Sequence, residues 1–224
     1  MLYHKIQTLF KRTEKGEMIT GAWTDPVFEY LAGNLWRCTE KIDGTNIRVT
    51  IDPISETIRS IGQAEVRFDG RTDDAALPAR LVNWMVGKFF DKTMLKTLKG
   101  KFPDGAILYG EGCGDGIGKM GAHYGPQQGF VLFDVNVGGW WLQQDAVNDV
   151  AETLELRCVK EVGCYTLHEA IDIVEKGYNS EFGNFLAEGL VAEPCVPMFN
   201  RKGERVITKI KTCDFTRTVE LEKS

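Results

Sequence analysis

The chain has 224 residues, 43% of them hydrophobic and 26% charged, and a net charge of −5 at neutral pH. Such a composition supports a buried core and excludes a disordered chain. The acidic balance excludes a protein coated in basic surface, though not a local basic groove. Six cysteines (38, 113, 158, 164, 195 and 213) form no C-x-x-C pair and stand near no histidine cluster, so neither a zinc site nor a disulfide framework is expected. They read as reduced, mostly buried thiols of a cytoplasmic protein without a signal peptide. The longest apolar run, "GFVLFDVNVGGWWL", is too short and too interrupted to span a bilayer, so no membrane partner is expected.

In chain order, "FKRTEKGEMITGAW" predicts a strand, a turn at Glu14–Gly16 and a short return. "LWRCTE" (35–40), "NIRVTI" (46–51) and "TIRSIG" (57–62) alternate apolar and polar residues and predict three strands, with a turn at "DPIS" between the last two. Apolar residues at helical spacing (Leu77, Leu81, Val82, Met85, Phe89) predict a helix, and "DKTMLKTLKG" a second one stopped by Gly100. Strands at 106–112 and 130–137 flank a glycine-rich loop. A helix from Asp145, as N-cap, to Leu156 and another over "LHEAIDIVEKG" follow. "AEGLVAEP" and "RVITKIK" close the chain as strands joined by a turn at "NRKGE". With no repeat or linker, the expectation is one α+β domain over residues 1–224, an antiparallel sheet with flanking helices.

The glycine loop matches two phosphate-binding patterns, and both fail. "GIGKMG" (116–121) lacks the following helix that a dinucleotide fingerprint needs. As a P-loop ending it has Met120 where Ser or Thr should stand and Cys113 in place of the first glycine. What is left is a long mobile loop over a polar site.

"TEKIDGTNIRV" (39–49) places Lys41 where a strand hands over to a tight turn, with Asp43 and Gly44 after it. Taken alone, that lysine reads as a solvated surface charge. Further along, Glu111 ends an apolar strand before a glycine, as does Glu188 in "AEGLVAEP". Lys209 and Lys211 alternate in "ITKIK" and so share one face, with Ile210 on the other. A charge aimed at a core-side face is costly unless it meets an opposite charge or a ligand.

K-x-D-G, a strand-end Glu-Gly, Phe-x-x-Phe-Asp, Glu-Gly-Leu-Val and Lys-x-Lys, in this order from Thr39 to Lys211, resemble the motif set of the covalent nucleotidyltransferases. That superfamily includes ATP-dependent DNA and RNA ligases and GTP-dependent capping enzymes. "TEKIDGTN" looks most like the RNA ligase 2 type, with Asn46 where DNA ligases usually carry arginine. The resemblance implies a nucleotidyltransferase (ligase adenylation) fold and an ATP-dependent RNA ligase. In such an enzyme Lys41 attacks the α-phosphate of ATP, expels pyrophosphate and becomes a lysine–AMP phosphoramidate. AMP then passes to a 5′-phosphate, and a 3′-hydroxyl displaces it.

An ordinary lysine, with a pKa of about 10.4, is protonated and not nucleophilic at neutral pH. It needs positive charge or a metal nearby. The resemblance implies Lys209, Lys211 and Mg²⁺ (or Mn²⁺) in that role, which would also offset charge on the transferring phosphate. It further implies that Thr39, Glu40, Ile42 and Gly44 surround the nucleotide, with Glu40 holding adenine through its main chain or side chain. Phe133 would stack on the base, with Phe130 as its rival; Glu111 would bind the ribose and Glu188 help place the metal. Asn46 and Arg71 would act on the RNA ends being joined, although an arginine in a turn after Gly70 reads nearly as well as plain surface. Lys88, Lys92, Lys96, Lys99 and Lys101 lie near one helical face; a solvated face is the simpler reading and a phosphate-tracking surface the functional one.

Relatives of this type usually carry an OB-fold or a helical C-terminal domain, and neither is expected after Lys211, where "TCDFTRTVELEKS" follows. A protein partner or a dimer would then supply the missing surface. Three other readings stay open: a compact DNA ligase, a capping-type guanylyltransferase, and a nucleotide- or nucleic-acid-end-binding module without turnover.

Overall fold

Burial of period two in the strands and of period near four in the helices builds the elements of this computed structural model, which describes residues 1–53, 66–216 and 218–220. The chain divides into two compact units, one comprising Met1–Tyr3 and Asp43–Val159, the other His4–Ile42 and Lys160–Ser224. The fold class is α+β, with mainly antiparallel sheets and flanking helices.

In the first unit, strands β5 (Thr45–Ile51), β6 (Val66–Asp69), β7 (Ala106–Cys113), β8 (Gly129–Val137), β9 (Trp140–Trp141) and β10 (Arg157–Cys158) form one sheet. Its order is β10-β8-β7-β5-β6, with β9 also on β8. Ile47, Val49, Ile51, Leu108 and Leu132 meet the apolar stripes of three helices. Helix α2 (Ala79–Phe89) buries Leu81, Met85 and Phe89, four residues apart. Helix α3 (Lys92–Lys101) buries Met94 and Leu98, and α4 (Gln144–Thr153) buries Val147 and Val150. Each large side chain so buried contributes about 1.5–3 kcal/mol. The alternate residues of β5, Asn46 and Arg48, stand on the opposite face, directly across from Glu111 and Tyr109 of β7.

The second unit holds strands β1 (Gln7–Thr8), β2 (Phe10–Arg12), β3 (Met18–Trp23), β4 (Trp36–Glu40), β11 (Glu161–Tyr165), β12 (Gly189–Pro194), β13 (Thr208–Lys211) and β14 (Thr218–Glu220). They form a five-stranded sheet, β1-β13-β12-β4-β11, and a three-stranded one, β14-β3-β2. Trp36, Cys38, Leu190, Ala192 and Ile210 pack with Phe28 of helix α1 (Pro26–Tyr30) and with Leu167, Ala170 and Val174 of α5 (Leu167–Lys176). A Thr166–Glu169 capping box starts α5.

The expected strand at 57–62 lies outside the described residues. Elsewhere the expected elements recur within a few residues, with two corrections at helix ends. Gly100 does not stop α3, which ends at Lys101, and α4 is capped at Gln143 so that Asp145 falls in its first turn. Strands β6, β9, β10, β11 and β14 and helix α1 were not legible in the pattern. The thiols also differ from expectation: Cys38 and Cys113 are buried, but Cys164, Cys195 and Cys213 are exposed. Among the described residues no helix is long and apolar enough to cross a membrane.

Candidate active site

In the second unit, alternation along β4 buries Trp36, Cys38 and Glu40 on the core side and leaves Arg37 and Thr39 on the other. Beyond the strand end the ladder runs one residue further, because the Lys41 N–H donates to the Gly189 carbonyl at 2.8 Å. Gly189 is in turn opposite Lys211 in the β12–β13 pair, so Lys41, Gly189 and Lys211 form one row across three strands. Glu188, just before β12, has its carbonyl fixed by the Thr212 N–H at 2.9 Å.

The carboxylate of Glu188 bridges the row. Its Oε2 accepts from Lys41 Nζ at 2.5 Å and its Oε1 from Lys211 Nζ at 2.6 Å. Lys41 Nζ also donates to the Ile42 carbonyl at 3.2 Å. All three side chains are largely shielded from solvent. Burial works against the Lys211 ammonium, yet the hydrogen bond and charge of Glu188 outweigh it and raise its pKa above the usual lysine value. One carboxylate thus serves two ammonium groups, which leaves this end of the sheet cationic. Lys209 stands on the same face, two residues before Lys211 and opposite Val191 and Thr8.

Glu40 behaves differently from its neighbour. Its buried carboxylate accepts from Ser180 Oγ at 2.6 Å and from the Glu181 N–H at 2.8 Å. These contacts engage the side chain on the core side, away from the Thr39 face. Thr39 is half-buried, opposite Val191, and Ile42 is buried.

In the first unit, Asp43 is tied to the glycine-rich loop. Its N–H donates to Tyr124 Oη at 3.2 Å and its Oδ2 accepts from the Met120 N–H at 2.8 Å. Gly118, at φ +68°, lies against that carboxylate; a Cβ there would come within 2.8 Å of Oδ2. The long loop expected over a polar site is thus tied at Met120 and Tyr124 to the K-x-D-G aspartate. Gly44 is equally confined, since a Cβ would fall 2.3 Å from the Gly112 carbonyl and 2.8 Å from Glu111 Cγ.

Asn46 pairs across from Glu111, and its Oδ1 is buried with no hydrogen-bond partner among the described residues. Phe130 is core, edge-on to Phe89 at 6.2 Å, whereas Phe133 stands on the other face, edge-on to Tyr3 at 5.1 Å. Arg71 is exposed in a loop that Arg48 pins on both sides. The buried Arg48 donates from Nε to the Gly70 carbonyl at 3.0 Å and from an Nη to Asp73 at 2.5 Å. Neither Arg48 nor the Ser180 contact to Glu40 was foreseen, because both depend on loops returning to a strand. Of the lysine stripe, Lys101 is bound to Asp149 at 2.6 Å and Lys88 sits 3.7 Å from Glu155; Lys92 and Lys96 are exposed.

The RNA ligase family profile matches residues 34–211. The chain belongs to the RNA ligase family. No curated protein sequence matches it. Among solved structures, an aspartate-to-alanine variant of the Naegleria gruberi RNA ligase in its apo form aligns with a TM-score of 0.61 at 17% identity, covering 96% of this chain and 60% of that one. A lysine-to-alanine variant of the same enzyme with ATP and Mn aligns at 0.60 and 19%, covering 95% and 62%, and the enzyme with PPi at 0.59 and 19%, covering 93% and 61%. At this identity the likeness shows the fold. The chain spans about three fifths of the length of those ligases.

A divalent cation fits the donors present in a limited way. Among the described residues no group of three or more His, Cys, Asp or Glu side chains converges. Glu188 offers one hard carboxylate, which suits Mg²⁺ or Mn²⁺ that takes its remaining ligands from substrate phosphates and water.

Proposed function

We propose that this member of the RNA ligase family is an ATP-dependent RNA ligase that joins 5′-phosphate and 3′-hydroxyl ends through a lysyl–AMP at Lys41. The observation that carries the reading is the Lys41–Glu188–Lys211 bridge at the end of β4. It supplies a nucleophile, a cationic partner for phosphate and one carboxylate at the matching motif positions.

In the first step Lys41 Nζ bonds to the α-phosphorus of ATP and the bond to the β-phosphate oxygen breaks, releasing pyrophosphate. Before attack, Nζ gives up its contact with Glu188 and loses a proton. Charge-assisted hydrogen bonds of this kind contribute about 1.5–3 kcal/mol, a modest barrier to that release. Lys211, held cationic by its own contact with Glu188, and Lys209 on the same face stabilise charge on the transferring phosphate. A divalent metal, held by Glu188 together with ATP phosphates, would neutralise further charge. In the first unit, Glu111 and Phe133 are assigned to ribose and base, and Asn46 and Arg71 to the RNA ends. The unmatched Oδ1 of Asn46 and the exposed guanidinium of Arg71 support those assignments.

The test is covalent labelling with α-³²P-ATP and Mg²⁺, with GTP in parallel, followed by a chase with 5′-phosphorylated RNA. Label should appear with ATP, vanish in Lys41→Ala, and pass to RNA in the chase. Equal labelling of wild type and variant, or label from GTP alone, would overturn the reading.

A further inference from the structure

The second unit carries a second chemical feature, remote from the lysines along β4. Cys164 of β11 is directly opposite Arg37 of β4, and paired residues share a face of the sheet. Cys195 follows Pro194, the last residue of β12, and its N–H donates to the Leu35 carbonyl at 3.0 Å. The strand order is β12-β4-β11, so the two cysteines flank the start of β4 from opposite sides. Their Sγ atoms are 3.3 Å apart, and both residues are exposed. A disulfide bond is about 2.05 Å long, so the sulfurs must approach by little more than an ångström. Because neighbouring strands lie about 4.7–4.9 Å apart on each side of β4, closure also draws the end of β12 over β4 towards β11 until the two Cα atoms are within about 7 Å. Of the other four thiols, Cys38 and Cys113 are buried, Cys158 is half-buried, and Cys213 is exposed.

We propose that Cys164 and Cys195 form a reversible redox site that closes to an intramolecular disulfide. The oxidant class is a low-molecular-weight disulfide such as glutathione disulfide. One protein thiolate attacks the glutathione S–S bond and expels a glutathione thiolate. The second protein thiolate then displaces the other glutathione from the mixed disulfide. Two electrons pass from the protein to glutathione, and the two thiol protons end on two molecules of reduced glutathione. The contact with Cys195, burial and the charge of Glu161 push the Cys164 pKa up to about 11. Either thiolate can open the oxidant, and the other then resolves the mixed disulfide.

Closure has a defined mechanical result. The two cysteines are 31 residues apart in the chain, and the enclosed segment contains α5, Ser180, Glu181 and Glu188. The cross-link would fasten the edge strand β11 to the end of β12 over β4 and shrink the unfolded ensemble of that segment.

The experiment uses the full chain at low micromolar concentration, oxidised with glutathione disulfide, blocked with iodoacetamide and digested with trypsin without reductant. Trypsin cuts after Lys160, Lys176 and Arg201, so the two cysteines fall in separate peptides, 161–176 and 177–201. A linked pair of these peptides should dominate, disappear on adding dithiothreitol, and be absent from Cys164→Ser and Cys195→Ser. The oxidised protein should melt roughly 5–10 °C higher than the reduced one, and Cys164→Ser should show no such shift. The proposal is overturned if both peptides are recovered fully alkylated, if each carries glutathione separately, or if the links join other cysteines or separate chains. Because the readout is a bond and a melting temperature, it stands whether or not the protein ligates RNA.

Discussion

The two units treat polar groups in opposite ways. In the second, the charged groups of the candidate site are matched to each other: Glu188 gives one oxygen to Lys41 and one to Lys211, and Glu40 is consumed by Ser180 and Glu181. In the first, Arg48 and Asp43 hold loops, while Asn46 Oδ1 has no partner among the described residues and Arg71 stands in solvent. On the proposed reading, a lysine stored in an ion pair and polar groups left unmatched are two different kinds of readiness: the first must be undone before reaction, and the second must be filled.

The comparison breaks most visibly at Glu188. Its replacement by alanine should lower the rate of Lys41 adenylylation on the order of a hundredfold, measured by single-turnover labelling, because both lysines lose their common anchor. A faster variant would mean that the carboxylate merely restrains the nucleophile. Gly44→Ala tests the scaffold of the first unit. Its Cβ meets a backbone oxygen at 2.3 Å, which cannot yield as a flexible side chain would. Stability should fall by about 1–3 kcal/mol, seen as a lower melting temperature.

Arg48→Met separates support from recognition. Loss of its contacts to Gly70 and Asp73 should cost about 1–2 kcal/mol in denaturant melts. If Arg71 serves the RNA ends, sealing of nicked RNA should fall further than Lys41 labelling; equal losses would deny the loop a role in the later steps. The smallest effect concerns pH. Burial first, and the charge of Arg205 second, push the His4 pKa down to about 4 from 6.5. Between those values the unfolded chain binds the extra proton and the folded one does not. Stability therefore falls as pH drops from about 6.5 towards 4, by about 1–2 kcal/mol after allowing for partial exposure. Chemical denaturation across that range should show a slope that His4→Phe flattens.

Much of this arrangement was legible in the residues. Alternation placed Lys209 and Lys211 on one face, and the order of motifs nominated Lys41 and Glu188, which the sheet register then brings together. Phe133 and Phe130, three residues apart, take opposite faces of β8 by alternation, but which face is core was settled only by packing, Phe130 against Phe89 and Phe133 against Tyr3. Arg48 read as one more polar residue of an alternating strand, because its partners lie beyond a turn whose path has no local signature. The glycine loop looked like a failed phosphate motif for a similar reason: its Gly118 and the Met120 N–H answer to Asp43, far earlier in the chain. The exposed thiols were misjudged because cysteine is so often a core residue.

The grip of Glu40 on Ser180 and Glu181 has one more implication. The residue adjoining Lys41 and the stretch that ends in Glu188 are knotted together on the core side of the sheet. A nudge to either end of that tether is therefore transmitted to both halves of the lysine–carboxylate couple at once. Ser180 lies outside the Lys41–Glu188–Lys211 bridge, yet on the proposed reading trimming its hydroxyl would slacken the line on which the alignment of Lys41 hangs.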